Sequence, residues 1–300
     1  MADRRLQVFY AVAKHLSFTR AADALFMTQP AVTFQVRQLE EQYNTRLFER
    51  RHGSISLTPA GELALSYAER ILGLSDEMDT RLAEMNGEMR GSLLLGASST
   101  IAESLLPGIL AEFNARYPQV RPRLIVANSE GIASRVADHG LEVGLIDAPA
   151  KLPGLSCDVC CEDELVVICA PGYPLAELKK IGPRALVDYE YLSREPGSGT
   201  RDVVDNYFRT NRVAVEHLKM QMELGSTEAL KAVVVTGLGF AIVSRTAVDR
   251  EVELGRLLAM PLNPPLRRNI YLIQVEERFR SRLVTTFVDF AKQQLKDMAA

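Results

Sequence analysis

Apolar and polar positions in the first sixty residues fall into short helical periods broken by tight turns. Leu6, Phe9, Tyr10 and Ala13 share one face of a helix predicted over about Arg4 to His15. Ser17 is placed to cap a second helix running through Leu25, with Phe18, Ala21, Ala22 and Leu25 on its packing side, and Phe26-Met27 make the turn. Thr28 caps a third helix to about Gln42, and Pro30 fits its first turn, where no N–H is needed. Val32, Val36, Leu39 and Tyr43 fall on one side of that helix. Pro30, Thr33, Phe34 and Arg37 fall on the other, with Gln29 at the exposed start. The stretch "LFERRHGSISLTPAG" then reads as two extended pieces around a Gly53-Ser54 turn, the outline of a winged helix-turn-helix.

From Pro59 to Met89 the pattern is helical. Ile71, Leu74, Met78, Leu82, Met85 and Met89 recur close to a heptad seam, which predicts pairing between two chains over packing within one. Past Arg90, apolar runs such as "RLIVAN", "EVGLID" and "ELVVICAP" alternate with helical stretches, the rhythm of an α/β domain with mostly parallel sheets, and two such sheets fit 210 residues better than one.

Composition sharpens this picture at one end. Residues 1–60 hold eight Lys or Arg against five acids, whereas the remaining 240 hold 27 against 33, so a basic first fifth meets a polyanion. No apolar run approaches the roughly 18 residues of a membrane span, and no signal peptide is read at the start, so a cytoplasmic protein is expected. Cys157, Cys160 and Cys161, with Cys169 further on, lack a second pair or nearby His to complete a metal set and read as buried filler, with a redox role left open. No metal and no cofactor is expected.

The spacing of Phe9, Ala13, Ser17-Phe18, Ala21-Ala22, Leu25, Gln29-Pro30-Ala31, Gln35, Leu39-Glu40, Leu47-Phe48, Arg50, Leu57-Thr58 and Ala60-Gly61 closely resembles LysR-type transcriptional regulators. "REPGSGTR" and "STEALKAVVVTGLGFAIVS" look like the branch that includes regulators of carbon-fixation and sulfur-assimilation genes. The resemblance implies a winged helix-turn-helix over 1–60, a linker (dimerisation) helix over 61–90, and a two-lobed, periplasmic-binding-protein-like α/β effector domain over 91–300. Lobe one would take 91–161 with 267–300, and lobe two 162–266. Tyr43-Asn44 departs from the family's usual Leu-Gly, Gly53 from a common wing arginine, and Phe34 from a position often polar or basic.

A helix in the major groove buries one face in its own domain and offers the other to base edges. Gln29 is suited to bidentate pairing with adenine, Arg37 to guanine or a phosphate, and Phe34 to a thymine methyl or a sugar edge. Thr28, Thr33, Arg50 and Arg51 read as phosphate contacts, and Pro30 stands among them. In the effector domain Ser98, Ser99 and Thr100, then Ser198, Gly199, Thr200 and Arg201, then Ser226, stand where strands turn into helices. Such ends either cap themselves or offer backbone N–H groups to an anion. The resemblance implies that they face one cleft and take a small anionic or carboxylate effector, although Arg201 also has Asp202 and Asp205 at hand. The expected molecule is a transcription regulator on a pseudo-palindromic double-stranded operator, self-associated through its linker helices as a dimer of dimers, with RNA polymerase a further partner. A transport binding protein leaves the helix-turn-helix unexplained, and an enzyme lacks a nucleophile-base pair, phosphate loop or metal set.

Overall fold

The computed structural model describes residues 3–51, 54–85, 89–276 and 281–299, which divide into two compact units, Met1–Gly91 and Ser92–Ala300. The first unit runs α1 (Arg4–His15), α2 (Phe18–Ala24), α3 (Gln29–Gln42), β1 (Phe48–Arg51), β2 (Ser54–Leu57) and α4 (Pro59–Met85). Ser17 caps α2 by accepting from Arg20 N at 3.3 Å. Thr28 holds the N-cap position of α3 but makes no side-chain capping bond. A cap oxygen accepts from the second or third helical N–H, and Pro30 has removed the second.

Val8, Phe9, Val12 and Ala13 of α1 pack with Phe18, Ala21 and Ala22 of α2 and Val32, Val36 and Leu39 of α3. The face of α1 is therefore rotated from the expected one, with Val8 and Val12 inside and Leu6 and Tyr10 at its margin. Tyr43 was expected on the buried side and stands exposed, because α3 ends one residue earlier and Tyr43 is its C-cap. The wing is tied to this core through Phe48, whose ring lies 5.4 Å from Phe9 and 5.7 Å from Phe18. Glu40 of α3 accepts from Leu47 N at 2.8 Å and Phe48 N at 3.3 Å. Thr58 donates to Arg46 O and accepts from Gly61 N, so it fixes both the wing and the start of α4. Gly61 passes so close to Leu47 that a Cβ there would sit 2.0 Å from the Leu47 carbonyl oxygen.

Ala60, Ala64, Leu65 and Ala68 seat the first turns of α4 on the core. Further along, Ile71, Leu74, Met78, Leu82 and Met85 are 45–83% exposed within the chain. Met89 lies beyond the helix, and residues 86–88 fall outside the described residues.

The second unit continues with β3 (Gly91–Ser98), α5 (Ser99–Ser104), α6 (Leu106–Arg116), β4 (Val120–Ala127), α7 (Ser129–Ala137), β5 (Val143–Ile146), β6 (Leu155–Cys169), β7 (Glu190–Arg194), α8 (Gly199–Thr210), β8 (Lys219–Leu224), α9 (Thr227–Val235), β9 (Ala241–Ser244), α10 (Asp249–Glu253), β10 (Leu258–Val275) and α11 (Arg282–Ala299). One sheet is ordered β4-β3-β5-β10-β6-β9, and a two-stranded pair β7-β8 joins its end through a bridge from Tyr191 to Phe240. β3 pairs parallel with β5, and β7 with β8. β10 is antiparallel to β5 and β6, and β6 to β9, so the expectation of mostly parallel sheets does not hold. The reason is that β6 and β10 each run through both lobes in opposite senses. Residues 155–165 of β6 pair with 266–275 of β10, and residues 165–168 of β6 pair with β9. These two strands form the hinge floor. Strands β5 and β9 are buried on both faces, as continuous apolar runs require. Among the described residues no helix is long and apolar enough to cross a membrane.

Candidate functional site

In α3 the packing face is fixed by Val32, Val36 and Leu39, which leaves Gln29, Pro30, Phe34 and Arg37 in solvent and Thr33 half-buried. The Gln29 amide donates to Thr33 Oγ1 at 3.0 Å, one turn on, so the side chain is held along the exposed face. Phe34 is 57% exposed, an arrangement that a lone helix in water gains nothing from. Behind it, Arg37 and Arg46 border a recess of about 120 Å³ with Phe18, Thr33 and Phe48. Arg50 and Arg51 stand on β1, paired with Ile55 and Ser54 of β2. Their side chains, with His52 and Gly53 at the wing tip, lie outside the described residues.

In the second unit, the N-terminal ends of α5, α7, α8 and α9 gather over the hinge floor. Asp147 follows β5 directly, and its carboxylate takes donors from three directions. Ser129 Oγ, opening α7, donates to Oδ1 at 2.5 Å; Thr200 Oγ1, in the first turn of α8, donates to Oδ2 at 3.1 Å; Arg268 Nη1, from β10, donates to Oδ2 at 2.6 Å. Arg268 also donates to Thr200 Oγ1 at 2.8 Å and to Asp163 at 2.8 Å, and Asp163 accepts from Ser244 Oγ at 2.7 Å. Burial pushes the Asp147 carboxyl upward, but the Arg268 guanidinium, with the Ser129 and Thr200 hydroxyls, outweighs it and holds the group below the ordinary carboxylate value. Gly199 allows this approach, since a Cβ there would lie 2.4 Å from Asp147 Oδ1.

A second polar cluster occupies the same interlobe region. Thr100 of α5 is hydrogen-bonded to Thr227 of α9 at 3.1 Å, and Arg194 at the end of β7 donates to Thr227 at 3.1 Å. Arg194 is itself buried and paired with Glu195 at 2.9 Å. Beside Thr100, the hydroxyls of Ser98 and Ser99 are buried without a hydrogen-bond partner, as is Arg268 Nη2. Nearby, Glu103 has its carboxyl pushed up by partial burial and by Glu228.

The residues expected from the sequence divide accordingly. Thr100 meets Thr227, with the buried Ser98 and Ser99 just before it in the chain, and Gly199 and Thr200 face Asp147. Ser198 is buried at the N-cap of α8 with no side-chain capping bond. Ser226 spends its hydroxyl on capping α9, accepting from Ala229 N at 3.1 Å, and its neighbour Thr227 enters the cluster instead. Arg201 was expected either to supply a charge to the cleft or to pair with a neighbouring acid such as Asp202 or Asp205. It takes the second course in part: it is bound to Asp205, one turn on in α8, at 3.8 Å, to Glu223 of β8, and to the Arg194 carbonyl at 3.0 Å. Among the described residues, the cations of these two clusters are Arg194 and Arg268, neither singled out beforehand. Arg268 did leave a signal: strand alternation places it on the buried face between Leu266 and Ile270. In the 197–201 turn, Gly197 O accepts from Glu130 N at 3.2 Å and Ser198 N donates to Glu195 O at 3.2 Å.

The cysteines are all free, and of those expected to be buried Cys160 and Cys169 are, whereas Cys161 is half-buried and Cys157 is exposed. Burial pushes the Cys161 thiol up to about 11, and Cys169 likewise to about 11, so both stay protonated at neutral pH. Among the described residues no group of three or more His, Cys, Asp or Glu is placed to hold a metal.

Comparison with known proteins matches residues 4–62 to the model of a bacterial regulatory helix-turn-helix protein, lysR family, and residues 86–296 to the LysR substrate binding domain. A protein of Cyanidioschyzon merolae named "Probable RuBisCO transcriptional regulator" is 37% identical over 94% of this chain and 95% of its own. The regulatory domain of Synechocystis CcmR, solved in complex with 2-PG, is 29% identical with a TM-score of 0.64, covering 70% of this chain and 99% of that one. The LysR family transcriptional regulator CbnR shares the fold at 22% identity, with a TM-score of 0.73 over 99% of this chain and 100% of its own.

Proposed function

Since the chain belongs to the LysR family of bacterial transcriptional regulators, we propose that its effector is a small oxyanion seated beside Ser98, Ser99, Thr100 and Thr227. The observation that carries this is the pair of partnerless buried hydroxyls, Ser98 Oγ and Ser99 Oγ, beside a Thr100–Thr227–Arg194 cluster. A buried polar group without a partner costs about 1–3 kcal/mol, so a ligand that accepts from both hydroxyls recovers that loss. The likeness to the CcmR domain with its anionic 2-PG supports an anion over a neutral ligand.

Gln29 and Arg37 read base edges in the major groove, Phe34 adds apolar contact, and Thr28, Thr33, Arg50 and Arg51 hold phosphates. The exposed stripe of α4, from Ile71 to Met85, joins two chains, which sets two reading helices on the halves of a pseudo-palindrome. Two such dimers make the tetramer, and the effector acts by changing how the bound operator is bent before RNA polymerase. The work is regulatory and cytoplasmic, without catalysis.

Calorimetry with small phosphates and carboxylates on the full chain tests the effector. Binding should weaken by about 1–3 kcal/mol when Ser99 becomes Ala or Thr100 becomes Val. An anion bound equally well by both variants removes this seat.

A further inference from the structure

The second anion position in the cleft, at the start of α7 and α8, is already filled from within the chain. Three features mark it as an anion seat: two helix N-termini with their partial positive charge, two hydroxyl donors, and a guanidinium. Yet its occupant is Asp147, with all three side-chain donors on its carboxylate. The donors come from different parts of the second unit. Ser129 and Asp147 belong to the lobe built on β3 to β5, Thr200 to the other lobe, and Arg268 to the hinge strand β10. A carboxylate shared in this way is a cross-lobe fastening. Arg268 still keeps one partnerless buried nitrogen, Nη2.

We propose that Asp147 is an internal ligand of the cleft, a carboxylate that holds the lobes together on donors an effector anion must contest. Resting on the reading of the cleft as an effector site, this makes Asp147 a specificity-determining and positioning residue. It repels any anion that enters, and it sets how much charge an effector must bring to win Arg268. The buried charges of the cleft sum close to neutrality or below: Arg194 and Arg268 stand against Asp147, Asp163 and the half-buried Glu195. An added anion is therefore accommodated by loosening Asp147 and not by surplus cation. Because Asp147 bridges the lobes, that loosening changes the lobes' relative placement, the two-position element that ligand control requires.

The test is calorimetric titration of the full chain with inorganic phosphate. Asp147→Asn keeps the shape and accepting oxygen but removes the charge, and it should tighten phosphate binding by about tenfold or more, the scale of one charge contact. Ser129→Ala removes one of the three donors that hold Asp147 while keeping its charge, so Asp147 gives way more easily and binding should tighten by less. Equal or weaker binding by Asp147→Asn, or no binding to either protein, overturns the proposal. If Asp147→Asn fails to fold, Ser129→Ala decides alone, and unchanged binding there overturns it. A Ser98→Ala/Ser99→Ala double variant separates the two readings. Loss of phosphate binding in it, without any gain in Asp147→Asn, keeps the effector seat and discards the internal ligand. A gain in Asp147→Asn that the double variant leaves intact keeps the internal ligand and discards the Ser98–Ser99 seat.

Discussion

On α3 the hydrogen-bonding side chains Gln29 and Arg37 stand in solvent, while in the cleft nearly every charged group already has a partner inside the chain. On the function proposed above, both regions meet anions. The helix would meet a long polyanion whose position is set by many weak contacts, so its side chains lose little by waiting in water. The cleft would meet a small ligand in a buried site, where an unpaired charge is expensive. It therefore keeps its guanidiniums paired with Asp147, Asp163 and Glu195, while the Ser98 and Ser99 hydroxyls and one Arg268 nitrogen stand without partners. The difference teaches that exposure marks the proposed DNA-reading face, whereas in the cleft the informative groups are the few buried ones without partners.

The comparison breaks most visibly at Arg268. Arg268→Met would strand Asp147 and Asp163 as buried, uncompensated carboxylates, and it should destabilise the second unit by about 3–5 kcal/mol in urea unfolding. A loss under 1 kcal/mol would mean the pair is not buried as described. Gln29→Ala should lower operator affinity by about 1–3 kcal/mol in filter binding and leave random DNA nearly unaffected. Equal losses on both would move Gln29 to the phosphates. Gly61→Ala presses a methyl on the Leu47 carbonyl and should cost about 1–3 kcal/mol in the first unit, read as a lower melting temperature with the second unit unchanged. The smallest effect concerns acid. Asp147's carboxyl titrates below its ordinary value when folded, so its contribution is complete above the unfolded value of about 3.9 and is lost as pH falls through the lower folded one. Between those limits Asp147→Asn should show a shallower fall in stability with pH than the wild type.

The first unit was largely legible in its residues. Its helices follow from apolar spacing and local caps, and the errors were local ones, in the face that α1 buries, at Thr28 beside Pro30 and at Tyr43 past the end of α3. The cleft was legible only where strands turn into helices, since Ser98, Ser99, Thr100 and Thr200 sit at such ends. What those hydroxyls meet depends on pairing across long stretches of chain. Arg268 lies opposite Asp163 in the β6–β10 register and reaches Asp147, and no spacing rule connects three such positions. For Arg201 the nearby Asp205 was legible from its spacing, whereas Glu223 was not, because it arrives beside Arg201 only through the β7–β8 pairing.

The most direct measurement follows both regions at once, as footprints of the full chain on an operator selected from genomic fragments, with and without an anion shown by calorimetry to bind. The account predicts that the anion shifts the protected pattern for the wild type and leaves it unshifted for Ser99→Ala at the same concentration. A footprint that no bound anion alters, or one altered equally in Ser99→Ala, would contradict it.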